Sequence, residues 1–412
     1  MHQHPPHIKF RPRLRWLRLG MPLVFLFLLI EFFDELNYGI GNAALPAIRT
    51  DLALSYAQVG LLLGLPHILG SFIEPVLMLL GDTRLRKRLV IGGGLAIVLT
   101  LVGIALAQSF PPLLVAMIIA FPASGAFVSL SQATLIDLNP GREAQAMARW
   151  TVAGSVANLL GPLLLAGALT LGLSWRWVYA GLAIFCLGLV LTVLPQRFPA
   201  KGKPAPEVAE EAETPEEAAP AEKTSLLQGL WQAARNPRLL GWFVLLELSD
   251  LLLDVLAGYL PLYFTDVAGL PLAQTSLLLS ALMLAGLAAD AALIPVLERF
   301  NGRKVVRVSA GVVALLYAAW LLAPWLWAKI GLIILVKLCT LGWYQVLQGE
   351  AFATIPGRSG TVMALNSVFG LAAGAIAWLV GWLAAQAGLP AAMWLLLLGP
   401  VSLAVFVRPP HR

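Results

Sequence analysis

Apolar residues run along almost the whole chain in blocks of about 20 or more, broken by short clusters of Pro, Gly, Asn and charge. A helix rises about 1.5 Å per residue, so about 20 apolar residues cross a hydrocarbon core roughly 30 Å thick. The blocks fall near 21–47, 56–80, 89–108, 112–136, 146–170, 176–195, 239–264, 273–297, 305–323, 330–354, 361–386 and 390–407. An even number of spans leaves both ends of the chain on one side of a membrane. The alternating, roughly ten-residue signature of a membrane β-barrel is missing, which leaves helices to satisfy the backbone in lipid. The first block starts near Met21, after a basic tail, and continues without a small-residue cleavage site, so it reads as a span rather than a removable signal.

Composition agrees with an integral membrane protein. Of 412 residues, 59% are hydrophobic and 12% charged, and the mean hydropathy is +0.82. Of the 28 Lys and Arg residues, all but Arg49, Arg176, Lys329 and Lys337 fall in the tails or in loops on the side of the termini. Arg49, Arg176 and Lys329 belong to the opposite set of loops, and Lys337 lies in a span. The positive-inside rule therefore places both termini in the cytoplasm. The net charge of +6 reflects this bias and calls for no nucleic-acid partner. Cys186 and Cys339 sit within spans, far from any metal or CxxC spacing, and read as packing residues without a disulfide. The His-x-His pair in the first residues reads as part of a loose terminus.

One long interruption, rich in Ala, Pro and Glu, cannot bury a core and reads as a flexible linker. The expected organisation is a cytoplasmic tail 1–20, a six-helix bundle 21–195, a cytoplasmic linker 196–238, a second six-helix bundle 239–407 and a tail 408–412. An offset of 216 residues aligns the two bundles without a gap. It sets Glu31 on Glu247, Asp34 on Asp250, Gln58 on Gln274, Glu74 on Asp290, Asp82 on Glu298, Gln132 on Gln348, Arg142 on Arg358 and Gly154 on Gly370. Matches of charged and amide residues inside spans mark an internal repeat, as many transporters have.

Two similar halves in one orientation, joined by a linker, resemble the major facilitator superfamily across essentially the whole chain. The loop GDTRLRKR carries Gly81, Asp82, Arg86, Lys87 and Arg88 in the positions of that family's G-x-x-x-D-R-x-G-R-R motif. Thr83 replaces the usual Arg and Leu85 the usual Gly. The second half repeats the motif as ERFNGRK, with Glu298, Arg303 and Lys304. The resemblance implies that these charges, with Arg142 and Arg358, latch the cytoplasmic helix ends in one state of a transport cycle; simple positive-inside anchoring is the other reading. VAGSVANLLGPLLLAG and LSYAQVGLLLG are similar to segments of the fosmidomycin-resistance and drug:proton antiporter groups, although the glycine pair usual after Gly-Pro is absent. The resemblance implies an all-α membrane fold of twelve helices, in two pseudo-symmetric bundles around a central cavity.

Against that background the carboxylates stand out. Glu31, Asp34 and Glu35 lie at i, i+3 and i+4 in the first span, and Glu247, Asp250 and Asp254 at i, i+3 and i+7 in the seventh, each set on one helical face. An acidic residue at the centre of a membrane helix costs about 2.5–3.5 kcal/mol, so such groups face an interior or a watery cavity. The first cluster falls near the bilayer midplane. Because helices 1 and 7 line the cavity in the family, the resemblance sets the clusters opposite one another. Carboxylates crowded at low dielectric cannot all stay ionised, and a group poised in this way exchanges a proton for a cation. Asp34 and Asp250 are the expected central pair, with Glu31, Glu35, Glu247 and Asp254 as partners or counter-charges and Glu74 and Asp290 as relay or gate. Glu31 and Glu247 have a second reading, as hydrogen-bond acceptors between helices. Asp137 reads as part of a charge network beside Arg142, and Glu350 has the same reading in the other half.

Tyr38, Gln132, Gln345 and Gln348 are candidate cavity residues. Tyr344 is another, although Tyr and Trp also gather at membrane interfaces. His67 reads either as a titrating group or as a satisfied packing histidine, and Lys337 either pairs with a carboxylate in the cavity or snorkels outward. The expected function is a proton-coupled secondary transporter, an antiporter that expels a small amphipathic or cationic compound from the plasma membrane and works as a monomer with protons as co-substrate. Proton-driven uptake of a nutrient or divalent metal is a second reading, though no compact ligand motif calls for a metal, and a transporter-like sensor is a third. No Walker A, HExxH or Gly-x-Ser-x-Gly element is present, which argues against an enzyme or ATP-driven pump and against a cofactor.

Overall fold

A computed structural model describes residues 23–81, 83–139, 142–198, 235–340, 342–355 and 359–408. The expectations for the tail 1–20, for residues 409–412 of the other tail, for most of the linker, and for Asp82 and Arg358 lie outside the described residues, as do the side chains of Asp290 and Glu298. The helices are α1 (Leu23–Asp51), α2 (Tyr56–Gly81), α3 (Arg86–Leu106), α4 (Phe110–Asp137), α5 (Glu143–Thr170), α6 (Trp175–Val193), α7 (237–267), α8 (Leu272–Arg299), α9 (Gly302–Leu322), α10 (Leu326–Thr354), α11 (Ser359–Ala387) and α12 (Leu389–Phe406). Ten of them are long and apolar enough to cross a membrane. The other two, α1 and α7, carry the carboxylate clusters.

Local chemistry sets the helix starts. Ser174 accepts from the Arg176 N–H at the head of α6, Asn236 from Arg238 and Leu239 at α7, and Asn301 from Arg303 at α9. These caps satisfy N–H groups that the first turn leaves without partners, and Pro237 fills a position whose N–H is not needed. The lateral surface is apolar: Leu99, Leu106, Leu315 and Trp327 are each more than 70% exposed. Such a surface belongs against lipid.

Within the first half α1 packs on α5 and α3 on α4 and α6; in the second, α9 packs on α10 and α12. The halves meet where α2 lies along α11 and α5 along α8, two contacts that the repeat exchanges. Bare glycines allow the α2–α11 approach. A Cβ on Gly64 would stand 2.2 Å from the Gly374 carbonyl oxygen, and one on Gly381 would stand 2.6 Å from the Gly60 Cα. The Tyr259 hydroxyl adds a bond to the Ala377 carbonyl at 2.7 Å.

Four spans read as uninterrupted helices are not, the mildest case being α12, which tightens into a 3-10 turn at Trp394–Leu397. α4 widens into a π-turn at Gly125–Ser129, and α7 does so twice, at Leu251–Val255 and Tyr263–Val267. α10 breaks after Cys339 and resumes at Trp343, with Gly342 at φ +71°, a left-handed conformation that glycine adopts without strain. The offset of 216 residues carries the α4 π-turn onto this break, so the repeat preserves an irregularity as well as charges. A second difference concerns Lys329, assigned above to an outer loop. It lies inside α10 and is buried, because its ammonium donates to the Tyr263 hydroxyl and the Trp320 carbonyl, both at 2.9 Å.

Candidate functional site

The α1 carboxylates take two directions. Asp34 turns toward α4, where the Ser124 hydroxyl donates to Oδ1 at 2.8 Å immediately before the π-turn. Glu35 turns toward α5 and accepts from the Asn158 side-chain amide at 3.1 Å. Glu31 is 8% exposed and shares that side. Gly154 of α5 makes room for both glutamates: a Cβ there would lie 2.6 Å from the Glu31 Oε1 and 3.0 Å from the Glu35 Cγ. Further along, Gly39 and Gly161 bring the two backbones close. The small residues of α5 therefore seat carboxylates as well as pack helices.

On α7, Asp254 lies within the first π-turn and is the carboxylate of this cluster that reaches across the boundary. It faces the Tyr38 hydroxyl and is within electrostatic range of Glu35 and His67 in the first half and Lys337 in the second. Asp250, one turn back, neighbours Asp254, Glu247 and Tyr344. The Glu247 Oε2 is buried without a hydrogen-bond partner. A π-turn inserts an extra residue and changes the angle between residues on either side of it, a recurrent device at functional sites. Here it separates the direction of Asp254 from that of Asp250.

Asp34 is thus engaged with Ser124 in its own half, and Asp250 with neighbours in its own. The approach between halves is Glu35 and Tyr38 with Asp254. Gln345 lines a cavity of about 130 Å³ with Lys337, Thr340 and Tyr344 behind the α10 break. Gln348 neighbours Tyr344 on the same helix, and Gln132 is half-buried on α4 beyond the π-turn. Glu74 stays within its own bundle, its carboxylate held against Gly125.

At the end carrying the termini, Arg86 donates to the Gly81 carbonyl at 2.7 Å and to Asp137, while Lys87 donates to the Leu194 carbonyl at 2.7 Å. Arg303 holds Glu350 through two nitrogens and lies over the Trp242 ring, 5.2 Å from its centroid. Under the offset this pair sits one residue from Arg86 on one side and one helical turn from Asp137 on the other. Arg88, Arg142 and Lys304 are exposed at the same end.

The opposite end contains a group that sequence reasoning missed. The Arg49 guanidinium of α1 binds Asp266 of α7 at 2.8 Å, Tyr56 of α2 donates to the same oxygen at 3.0 Å, and Arg49 covers the Tyr56 ring at 4.1 Å. Asp266 falls past the seventh span as read from hydropathy, and Arg49 counted there only as a loop charge. The pairing of an Arg and an Asp at matching helix ends was the available signal. Together with the glycine contacts of α2 and α11, it closes this end.

Among the described residues, twelve helices in two repeat-related bundles around an internal polar site define a multi-pass membrane transporter. The chain belongs to the Major Facilitator Superfamily, whose family profile matches residues 27–378. It is similar in structure to a bacterial homologue of the human lysosomal transporter Spinster in an inward-facing, occupied conformation (TM-score 0.76, 15% identity, 93% of this chain and 95% of that one). The same homologue in its inward-facing, unoccupied conformation gives a TM-score of 0.75 at 16% identity, again over 93% and 95% of the two chains. The nucleoside transporter NupG gives 0.72 at 14% identity over 94% and 98%. No match was found among curated proteins. The protein is a transporter of a small molecule and not an enzyme.

Proposed function

We propose that the protein is a proton-coupled antiporter of the plasma membrane that exports a small amphipathic or cationic compound by alternating access. In this reading the bundles are 21–195 and 239–407, the linker 196–238 and both tails are cytoplasmic, and one chain suffices for transport. The observation that carries it is the meeting of Glu35 and Tyr38 of α1 with Asp254 of α7 at the boundary between halves. The two clusters place six carboxylates on these helices, Glu31, Asp34, Glu35, Glu247, Asp250 and Asp254, and Lys337 and His67 are the basic groups near Asp254. Ionised carboxylates at low dielectric repel one another, so the cluster holds protons when empty and releases them as a cation arrives. The Arg49–Asp266 bridge and the α2–α11 contact close the outer end, which fits a carrier with its path open to the cytoplasm. Rocking one bundle against the other then breaks the bridge and presents the same carboxylates to the outside.

The experiment uses inside-out vesicles with an acidified lumen and a pH-sensitive dye, challenged with antibiotics, organic cations and divalent metals. Proton efflux with one chemical class, lost in Asp254→Asn and Glu35→Gln, is the expected result. Folded protein that gives no efflux with any compound, but accumulates one from outside in right-side-out vesicles, would replace export with uptake.

A further inference from the structure

Beside the boundary cluster, the first bundle lines a partly open cavity of about 280 Å³. All its lining residues lie between Asp34 and Tyr179, on α1, α2, α3, α4 and α6, so the second half contributes none of them. Asp34 lies at one end with its Ser124 bond, and Asn37, Asn42 and Tyr38 continue the polar edge along the same face of α1. The remaining wall is apolar and aromatic, with Leu113, Met117, Phe121 and Tyr179.

Two of these rings are fixed by their surroundings. Phe121 covers the bare backbone of Gly70, where a Cβ would stand 2.0 Å from the ring, and it packs on His67 with ring centroids 4.5 Å apart. Tyr179 is 4% exposed and meets Trp175 edge-on at 5.8 Å. The His67 Nδ1 is engaged with the Leu63 carbonyl at 2.9 Å, and no Lys or Arg lines the cavity.

We infer that this cavity is the recognition site for the transported cation, a compact aryl or alkyl ammonium whose charge pairs with Asp34 and whose body lies against Phe121, Met117 and Tyr179. The inference rests on the export reading above and adds a division of labour: Asp34 selects the substrate, and Glu35 with Asp254 carries the protons. Charge argues for it, since a cation leaving water needs a paired anion and the cavity offers one carboxylate and no competing ammonium or guanidinium. Aromatic faces add attraction for a cation that a neutral compound lacks. Size limits the substrate, because the volume lies just below the range of about 300–1,000 Å³ typical of small-molecule pockets. A bulky multi-ring drug does not fit.

The test is calorimetric binding of benzyltrimethylammonium, with benzyl alcohol as the uncharged comparison, to the purified full chain in detergent at equilibrium. Wild type binds the cation and binds the alcohol at least tenfold more weakly. Asp34→Asn weakens the cation at least tenfold. Met117→Trp, which fills the cavity and leaves every charge in place, does the same, and it carries the test alone if Asp34→Asn fails to fold. Cation binding unchanged in both folded variants, no binding by wild type at millimolar concentrations, or a tenfold loss in Asp254→Asn with Asp34→Asn unaffected would each overturn the assignment. The outcome is separable from the fate of the antiport reading. Cavity-dependent binding without proton efflux in vesicles would remove antiport and keep the site; proton efflux with binding insensitive to both variants would do the reverse.

Discussion

Gly64→Ala drives a wedge between α2 and α11. The new methyl would stand 2.2 Å from the Gly374 carbonyl oxygen and 3.2 Å from the Trp378 Cβ. A carbon and a carbonyl oxygen rest at about 3.3–3.6 Å, so the helices must part by about 1 Å at this level. The obstructing oxygen belongs to backbone, and no rotamer change relieves the contact. Overpacking of this kind costs about 1–3 kcal/mol. The cost applies in the state where α2 and α11 touch near the outer end and vanishes when that end opens. The variant therefore shifts the balance toward the outward-open state by about 5- to 150-fold. Spin labels at Ser174→Cys and Trp325→Cys, in a chain with Cys186→Ser and Cys339→Ser, report the separation of the outer ends by pulsed electron resonance. Both labelled positions are exposed and immediately precede α6 and α10 at that end. A longer distance that becomes the major component is expected. An unchanged distribution in folded Gly64→Ala would refute the view that this contact belongs to one state of the cycle.

Asp266→Asn removes the anion shared by Arg49 and Tyr56; a partly buried ion pair and a hydrogen bond together contribute about 1–2 kcal/mol, so the same label pair should show the outer-open population rising roughly fivefold or more. No change would mean that the bridge is solvated and inert. Glu350→Gln leaves the Arg303 guanidinium without its two-point partner; a thermal unfolding midpoint lower by a few degrees is expected, from a loss of about 1–3 kcal/mol, and an unaltered midpoint would show that the pair adds no stability. Gly154→Ala displaces the flexible end of Glu31 rather than backbone. The protein should fold with a normal midpoint while substrate-induced proton efflux falls about tenfold, and full efflux would free Glu31 and Glu35 from the coupling role.

Much of the fold was legible because lipid imposes one rule, that twenty apolar residues make a span, and the twelve windows agree with the helices to within a few residues. The repeat was legible through Glu31, Asp34 and Gln132, charged and polar residues that chance rarely aligns within spans. The internal geometry of the spans was not. Hydropathy has no signal for the π-turn that carries Asp254, and a regular helix from 239 to 264 sets the α7 carboxylates on one face and favours Asp250 as the partner across the boundary. Ser124 and Asn158 passed unremarked because a single hydroxyl or amide in an apolar run carries no pattern; their roles come from the α1 side chains opposite. Lys329 misled for a related reason, since a lysine at the edge of a span reads as a loop charge unless Tyr263 and the Trp320 carbonyl are known to receive it. Arg49 and Asp266 stand 217 positions apart, and only the packing of α1 on α7 makes them neighbours.

The central claim is that the carboxylates facing one another across the bundle boundary couple protons to transport. It is tested most directly in proteoliposomes with Asp254→Asn, using whichever panel compound gives wild type its largest proton efflux. Exchange of that compound without a gradient and its uphill movement under an imposed pH gradient are measured on the same preparation. The account predicts that gradient-free exchange persists while pH-driven accumulation is lost. Undiminished pH-driven accumulation by the folded variant would contradict it.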